Sequence, residues 1–123
     1  MKLIPAAIAV AVALAPAAYA DCSYPPAPSH LPDGNTATLA EMLAGEKDVQ
    51  SYNKDMMAYL SCIKLERDSN IAHSGAKLTK KQRQELEAIE IQKHNAAVDQ
   101  LKTVANRFNE QVRIFKTKGK KSD

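Results

Sequence analysis

Residues 49–63, VQSYNKDMMAYLSCI, carry the pattern that decides the fold of this chain. Five of their apolar side chains recur at alternating steps of three and four residues, which places them on one stripe of an α-helix. These side chains are Val49, Tyr52, Met56, Tyr59 and Ile63. Met42 extends the stripe towards the N terminus, and Leu60 widens it. The same stretch contains Cys62, so this helix is also one end of a predicted covalent link.

The first helix is expected over about residues 39–72. Thr38-Leu39-Ala40-Glu41 has the Thr-x-x-Glu spacing of a capping box, in which the threonine oxygen and the glutamate carboxylate each satisfy a backbone donor. Gly45 weakens this prediction, because a glycine inside a helix costs about 1 kcal/mol relative to alanine and could mark a kink or a later start. Ser74-Gly75 is typical of a connection.

A second helix is expected over about residues 79–116. Thr79 and Gln82 repeat the capping pattern, and a second apolar stripe follows, interrupted by Lys93. Its members are Leu86, Ile89, Ala97, Leu101, Val104, Phe108, Val112 and Phe115. Two long helices joined by a short connection form an antiparallel pair, so residues 39–116 predict an all-α helical hairpin.

The segment before the hairpin, residues 21–38, is expected to be an extended arm. Four prolines exclude a helix here and favour the polyproline conformation. They are Pro25, Pro26, Pro28 and Pro32. Asp33-Gly34-Asn35 then predicts a turn that leads into the first helix.

Residues 1–20 have the pattern of a cleaved Sec signal peptide. Lys2 supplies the positive charge, Leu3 to Ala15 an apolar stretch, and Ala18-Tyr19-Ala20 a small-x-small cleavage site. An uncleaved membrane anchor is the alternative, but the stretch is rich in alanine and interrupted by proline. We therefore expect a mature chain that starts at Asp21 and is periplasmic or secreted, with no membrane span.

The two cysteines, Cys22 and Cys62, are expected to form a disulfide, because two cysteines in an oxidising compartment pair unless geometry forbids it. Two free thiols or a metal pair are the alternatives, which neither the spacing nor nearby histidines favour. An extended arm of this length reaches back antiparallel along the first helix. Closing that loop is expected to stabilise the fold by roughly 4 kcal/mol in the chain-entropy model. Since two helices share only one seam, we expect the disulfide, the arm and self-association as a homodimer to complete the core.

No motif for catalysis or cofactor binding stands out, so a non-enzymatic protein without a cofactor or metal is expected. Aromatic residues make up 5% of the chain, whereas deep substrate pockets usually have more aromatic lining. His30, His73 and His94 lack the spacing of a helical metal site and are expected at the surface. The methionines of the first helix are better explained as core filling than as copper ligands. A site assembled from distant carboxylates stays open.

Charge is distributed unevenly, although the net charge is only +3. Acidic residues outnumber basic ones over residues 21–70, and basic ones dominate from residue 71 onwards. This asymmetry either sets the pairing of the two helices or reflects two solvated surfaces.

The C-terminal end, residues 117–123, is expected to form a basic tail. Four lysines crowd this end of the chain: Lys116, Lys118, Lys120 and Lys121. They either bind an anionic envelope surface, such as lipid headgroups, or belong to a frayed, soluble terminus. Without interleaved aromatic residues they do not indicate specific recognition of a nucleic acid.

Several segments resemble an uncharacterised family of small exported proteins of Gram-negative bacteria. They are Cys22-Ser-Tyr-Pro, Leu31-Pro-Asp-Gly34, Glu41-Met42 and Tyr59-Leu-Ser-Cys62. The resemblance covers the arm and the first helix with both cysteines. It implies an exported compartment and this architecture, but no activity.

Leu78-Thr79-x-x-Gln82, at the start of a long charged helix, resembles the Leu-Thr-x-x-Gln motif of the periplasmic stress proteins related to Spy and CpxP, which act as chaperones or sensors. The chain has one copy where that family has two, and the disulfide-tied arm is foreign to it. The resemblance implies a chaperone-like or stress-related role. We therefore expect an exported hairpin that acts through protein or envelope contacts. The alternative is an envelope protein that binds a lipid or another small anionic ligand.

Overall fold

The computed structural model describes residues 21–74 and 77–121, which form two long helices and an extended arm. Helix α1 spans Leu39–Ser74 and helix α2 spans Lys80–Lys121. They pack against each other as an antiparallel hairpin, and no strand occurs among the described residues. The predicted all-α hairpin is confirmed. The predicted signal peptide, residues 1–20, lies outside the described residues.

Both helices begin at the predicted capping boxes. In the first, the Thr38 backbone N–H donates to Glu41 Oε2 at 2.7 Å, and the Glu41 N–H donates to Thr38 Oγ1 at 3.2 Å. In the second, the Thr79 N–H donates to Gln82 Oε1 at 2.9 Å, and the Gln82 N–H donates to Thr79 Oγ1 at 3.1 Å. Each pair satisfies two backbone groups that the helix itself leaves without partners.

The core forms where the two predicted stripes meet. One cluster of buried side chains lies near the middle of the hairpin and consists of Tyr52, Met56, Tyr59, Ile63, Ala97 and Val104. A second lies where α1 begins and consists of Ala37, Met42 and Phe108. Val49 packs against both clusters, so the two form one continuous seam.

The arm runs back along α1, antiparallel to it. Cys22 forms a disulfide with Cys62, with an S–S distance of 2.00 Å and a Cα–Cα distance of 5.7 Å. One turn of α1 earlier, the rings of Tyr24 and Tyr59 meet edge to face with centroids 5.0 Å apart. The predicted path of the arm and the predicted disulfide are therefore confirmed.

Gly45 does not kink α1, which continues unbroken from Leu39 to Ser74. A Cβ atom at this position would come within 2.6 Å of Pro32 Cδ and 3.1 Å of Phe108 Cε2. Glycine therefore lets the arm and α2 approach the backbone of α1 closely. The cost of a helical glycine is offset by this contact.

The turn at residues 33–37 places the end of the arm against α2. The Gly34 N–H donates to Gln111 Oε1 at 2.8 Å. A Cβ atom at Gly34 would collide with the backbone of Gln111 and lie 2.9 Å from Ile114 Cβ. The arm therefore contacts both helices, which ties the two of them together at the end opposite the connection.

The structure departs from the predicted pattern at the C-terminal end of α2. The helix reaches Lys121 rather than residue 116, so the first lysines of the predicted tail continue the helix. The Thr117 hydroxyl donates to the Arg113 carbonyl at 2.9 Å within this extension. Cations near a helix C terminus interact favourably with the helix dipole, which gives a physical reason for the longer helix.

Replacing both cysteines tests how far the fold depends on the disulfide. Because the bridge spans 40 residues, C22S/C62S is expected to lower the free energy of unfolding by about 2–4 kcal/mol. Urea unfolding followed by circular dichroism measures this loss. Reduced wild-type protein serves as the matched comparison and should lose the same amount. Equal stability of the oxidised and double-serine proteins would contradict the expectation.

Substitution of Gly45 tests the close approach of the arm. Helix propensity alone favours alanine by about 1 kcal/mol, but the crowding by Pro32 is expected to reverse the sign, so that G45A destabilises by roughly 1–3 kcal/mol. G119A is the matched control, because a Cβ atom at Gly119 meets nothing within 4 Å. Thermal unfolding of the two variants should move in opposite directions. A stabilised G45A protein would show that the arm does not press on α1.

The first capping box makes the stability depend on pH. The N–H of Thr38, and secondarily its hydroxyl, donate to the Glu41 carboxylate and lower the pKa of this group below its ordinary value of 4.5. Because the pKa is lower in the folded state, this stabilisation is present above the unfolded-state pKa and is lost as the pH falls through the folded-state pKa.

We therefore expect the melting temperature to fall on acidification below about pH 4.5, with E41Q lacking this part of the acid response. Circular dichroism melts of the wild type and E41Q between about pH 7 and about pH 3 measure it. E46Q, at an exposed glutamate beyond the cap, is the control and should keep the wild-type profile. Identical acid profiles for E41Q and wild type would refute the assignment.

Candidate interaction surface

The hairpin continues beyond its core. Ile63 in α1 and Ala97 in α2 are the last buried side chains towards the connection. Among the described residues of 64–96, which we call the hairpin end, no side chain is buried. The 11 residues of α1 in this region extend about 16 Å past the core. The hairpin end therefore exposes most of its side chains to solvent or to a partner.

Three large apolar side chains of the hairpin end are about half exposed or more. Leu65 is 68% exposed, Ile89 49% and Ile91 53%. Ile89 was predicted on the seam between the helices, but the facing turns of α1 carry polar side chains, and the described part of the arm, which begins at Asp21, meets α1 at Cys62, short of this point. It therefore lies at the border of a small cleft of about 60 Å³ that also contains Ile63, Leu86 and Asn70.

Ion pairs replace apolar packing between the helices in this region. Arg67 Nη1 lies 3.1 Å from Glu90 Oε2, with the two side chains 24% and 14% exposed. Lys93 Nζ lies 3.9 Å from Glu66 Oε2. The two pairs cross between α1 and α2, so they align the helices where no core holds them. The Lys93–Glu66 side chains are 47% and 39% exposed, so this pair contributes little to stability, whereas the Arg67–Glu90 pair is mostly covered.

Asp68 adds a third charge to this network. The Arg67 guanidinium hydrogen-bonds its carboxylate, and Lys64 does so more weakly, which together hold the pKa of Asp68 below its ordinary value. The same contact raises the pKa of Arg67. Arg67 and Asp68 therefore keep their charges at neutral pH, and the surface beside the exposed apolar groups is strongly polar.

The larger clefts lie along the arm and are open and polar. One of about 480 Å³ is bordered by His30, Asp33, Arg107 and Gln111. Another of about 310 Å³ is bordered by Pro28, His30, Asp48 and Asp55. Ser29 and His30 border both clefts, and Ser51 also borders the second.

Among the described residues, Tyr52 has a buried polar group, its hydroxyl, that makes no hydrogen bond. Burial, with a smaller contribution from Tyr24, raises its pKa above the ordinary value of 10.0. A buried hydroxyl without a partner destabilises the fold, so the contribution of Tyr52 comes from its ring.

The structure places the other predicted site residues apart from one another. His30, His73 and His94 are exposed and lie on the arm, on α1 and on α2, and the described residues contain no cluster of metal-ligating side chains. Lys116 and Lys120 lie one turn apart on α2, whereas Lys118 is 200° around the helix from Lys116 at 100° per residue. The lysines therefore surround the end of the helix and do not form one patch.

Neither α1 nor α2 is both long and apolar enough to cross a bilayer. Comparison of the chain with protein-family models, curated proteins and solved structures found no match. The hairpin end was not predicted as a surface, although the sequence contains one signal of it. Glu66, Asn70 and Lys93 stand where the two apolar stripes would otherwise continue, and this loss of apolar residues on both helices predicts an uncovered end.

Proposed function

We propose that this chain is an exported, non-enzymatic helical protein that binds a protein partner through the hairpin end. One observation carries the proposal: both helices extend past their core and expose Leu65 and Ile89 beside interhelical ion pairs. Exposed apolar groups within a charged rim are typical of protein interaction sites. The partner would cover the apolar groups and approach the charged side chains around them.

A chaperone-like role fits this surface. Unfolded chains expose apolar segments, and Leu65 and Ile89 offer apolar contacts that do not require one defined partner sequence. The Thr79–Gln82 capping pair, part of the segment that resembles the Spy and CpxP motif, starts α2 within the same hairpin end. The disulfide and the arm hold the other half of the hairpin, so the exposed end projects from a rigid stem.

The proposed location is the periplasm or the extracellular space. The disulfide supports it, because such bonds persist in oxidising compartments. The pattern of residues 1–20 supports it independently, as a Sec signal peptide cleaved after Ala20.

Capture of a lipid or another small anionic ligand is less well supported than binding of a protein partner. Sites for small molecules usually enclose about 300–1,000 Å³ and are mostly apolar. The cleft between the helices measures only about 60 Å³, and the clefts along the arm, of about 480, 310 and 300 Å³, are open to solvent and each bordered by charged side chains. The exposed lysines at the end of α2 instead offer contact with an anionic envelope surface, which would place the protein near its partners without a bound ligand.

Paired substitutions test the role of the hairpin end. The mature protein is expected to suppress aggregation of an unfolded client at a near-equal ratio, and L65S/I89S is expected to weaken this binding roughly 30-fold, at about 1 kcal/mol per side chain. Light scattering measures suppression, with a client that aggregates on heating without a reductant, so that the Cys22–Cys62 disulfide stays intact.

L39S/L43S is the matched control. Leu39 and Leu43 are 62% and 49% exposed, close to the 68% and 49% of Leu65 and Ile89, but they lie at the opposite end of α1. The control variant should suppress aggregation as well as wild type does. Equal loss in both variants, or no suppression by the wild type, would count against a binding role for the hairpin end.

A further inference from the structure

The seam between α1 and α2 is flanked by two grooves, and the arm fills one of them. On α1 the arm lies over the side that carries Asp48, Tyr52, Asp55 and Cys62. On α2 the turn at Gly34 lies against Gln111. The groove on the other side of the seam, which we call the open side, has no segment of the described chain over it.

Helix α2 presents a heptad of apolar residues to the open side. They are Ile91, Val98, Ala105 and Val112. Ile91 is 53% exposed, and the other three are partly buried. The repeat spans about 32 Å of helix at 1.5 Å per residue. These residues add one apolar position per heptad beside the seam, and Val112 also packs against the second core cluster, so the apolar stripe of α2 is wider than the part that faces α1.

Helix α1 adds apolar groups to the same side. Met57 lies 200° around the helix from Asp55, which borders the arm, and it is 54% exposed. Leu60 lies almost one turn further and is half-buried against the core. The apolar arc of the hairpin is therefore wider than the seam and the arm together cover.

The two helices have opposite charge. Helix α1 contains six carboxylates and four lysine or arginine residues, whereas α2 contains five carboxylates and eleven lysine or arginine residues. Two copies that stack with α1 of each over α2 of the other would therefore bring an acidic helix against a basic one. Stacking α2 on α2 would oppose like charges.

We infer that a second copy of this chain docks on the open side, with α1 of each copy across α2 of the other, to form a four-helix bundle. This inference rests on the proposed role in protein binding and names one of the partners. It leaves both arms and their disulfides on the outside. It also leaves Leu65 and Ile89 at the ends of the bundle, where a client would reach them.

Sedimentation equilibrium of the oxidised protein, purified after export, tests the inference between about 1 µM and about 1 mM. The wild type is expected to reach the mass of two copies. M57E is expected to weaken the dimer at least 30-fold, and because Met57 is more than half exposed in the monomer, the monomer should stay folded. A105E, on the facing helix, should have the same effect.

A96E is the matched control for A105E, because Ala96 is exposed and lies on the opposite side of α2. It should dimerise as the wild type does. The inference would be overturned if the wild type had the mass of one copy at every concentration, or if A96E and A105E had equal effects. Native mass spectrometry that found a single copy with a bound lipid or another protein would also overturn it. The effect of L65S/I89S on client aggregation is measured in a separate experiment. A wild-type protein that stays monomeric but still suppresses aggregation would therefore overturn the dimer and leave the proposed function intact.

Discussion

The Cys22–Cys62 disulfide joins the beginning of the arm to the middle of α1, across 40 residues of chain. An arm rich in proline forms no regular hydrogen-bonded structure of its own, so it needs an anchor at each end to stay on the hairpin. The disulfide supplies one anchor, and the turn at Gly34 on α2 supplies the other. Between them the arm covers one groove of the hairpin and adds a third layer to a core that two helices form only thinly.

Two glycines allow this arrangement. Pro32 presses against α1 at Gly45, and the turn presses against α2 at Gly34, in each case at a distance that a side chain would prevent. The residues are far apart in sequence, but both serve the same contact between the arm and the hairpin. The arm thus bridges α1 and α2 at the end where the chain does not connect them.

The arm also makes the hairpin asymmetric, and the candidate surfaces follow from this. Towards the connection, the described part of the arm reaches the disulfide and the core ends near the same level, so ion pairs align the two helices at the hairpin end, where Leu65 and Ile89 are exposed. Across the seam, the heptad on α2 keeps an apolar strip that no described segment covers. A protein client at the first surface and a second copy at the second would complete the burial that the single chain leaves unfinished.

The periodicity of residues 49–63, the two capping boxes, the prolines of the arm and the cysteine pair determined the fold class, both helix starts and the course of the arm. The periodicity, the capping boxes and the prolines are local features, and the chain has only two cysteines to pair, so the sequence alone reveals all of them. Only the tertiary structure decided the role of Gly45, the exposure of Ile89 and the existence of an open side. Each depends on which surface the arm covers and where it stops, and that is set by contacts between segments far apart in the chain, such as Pro32 with Gly45 and Gly34 with Gln111.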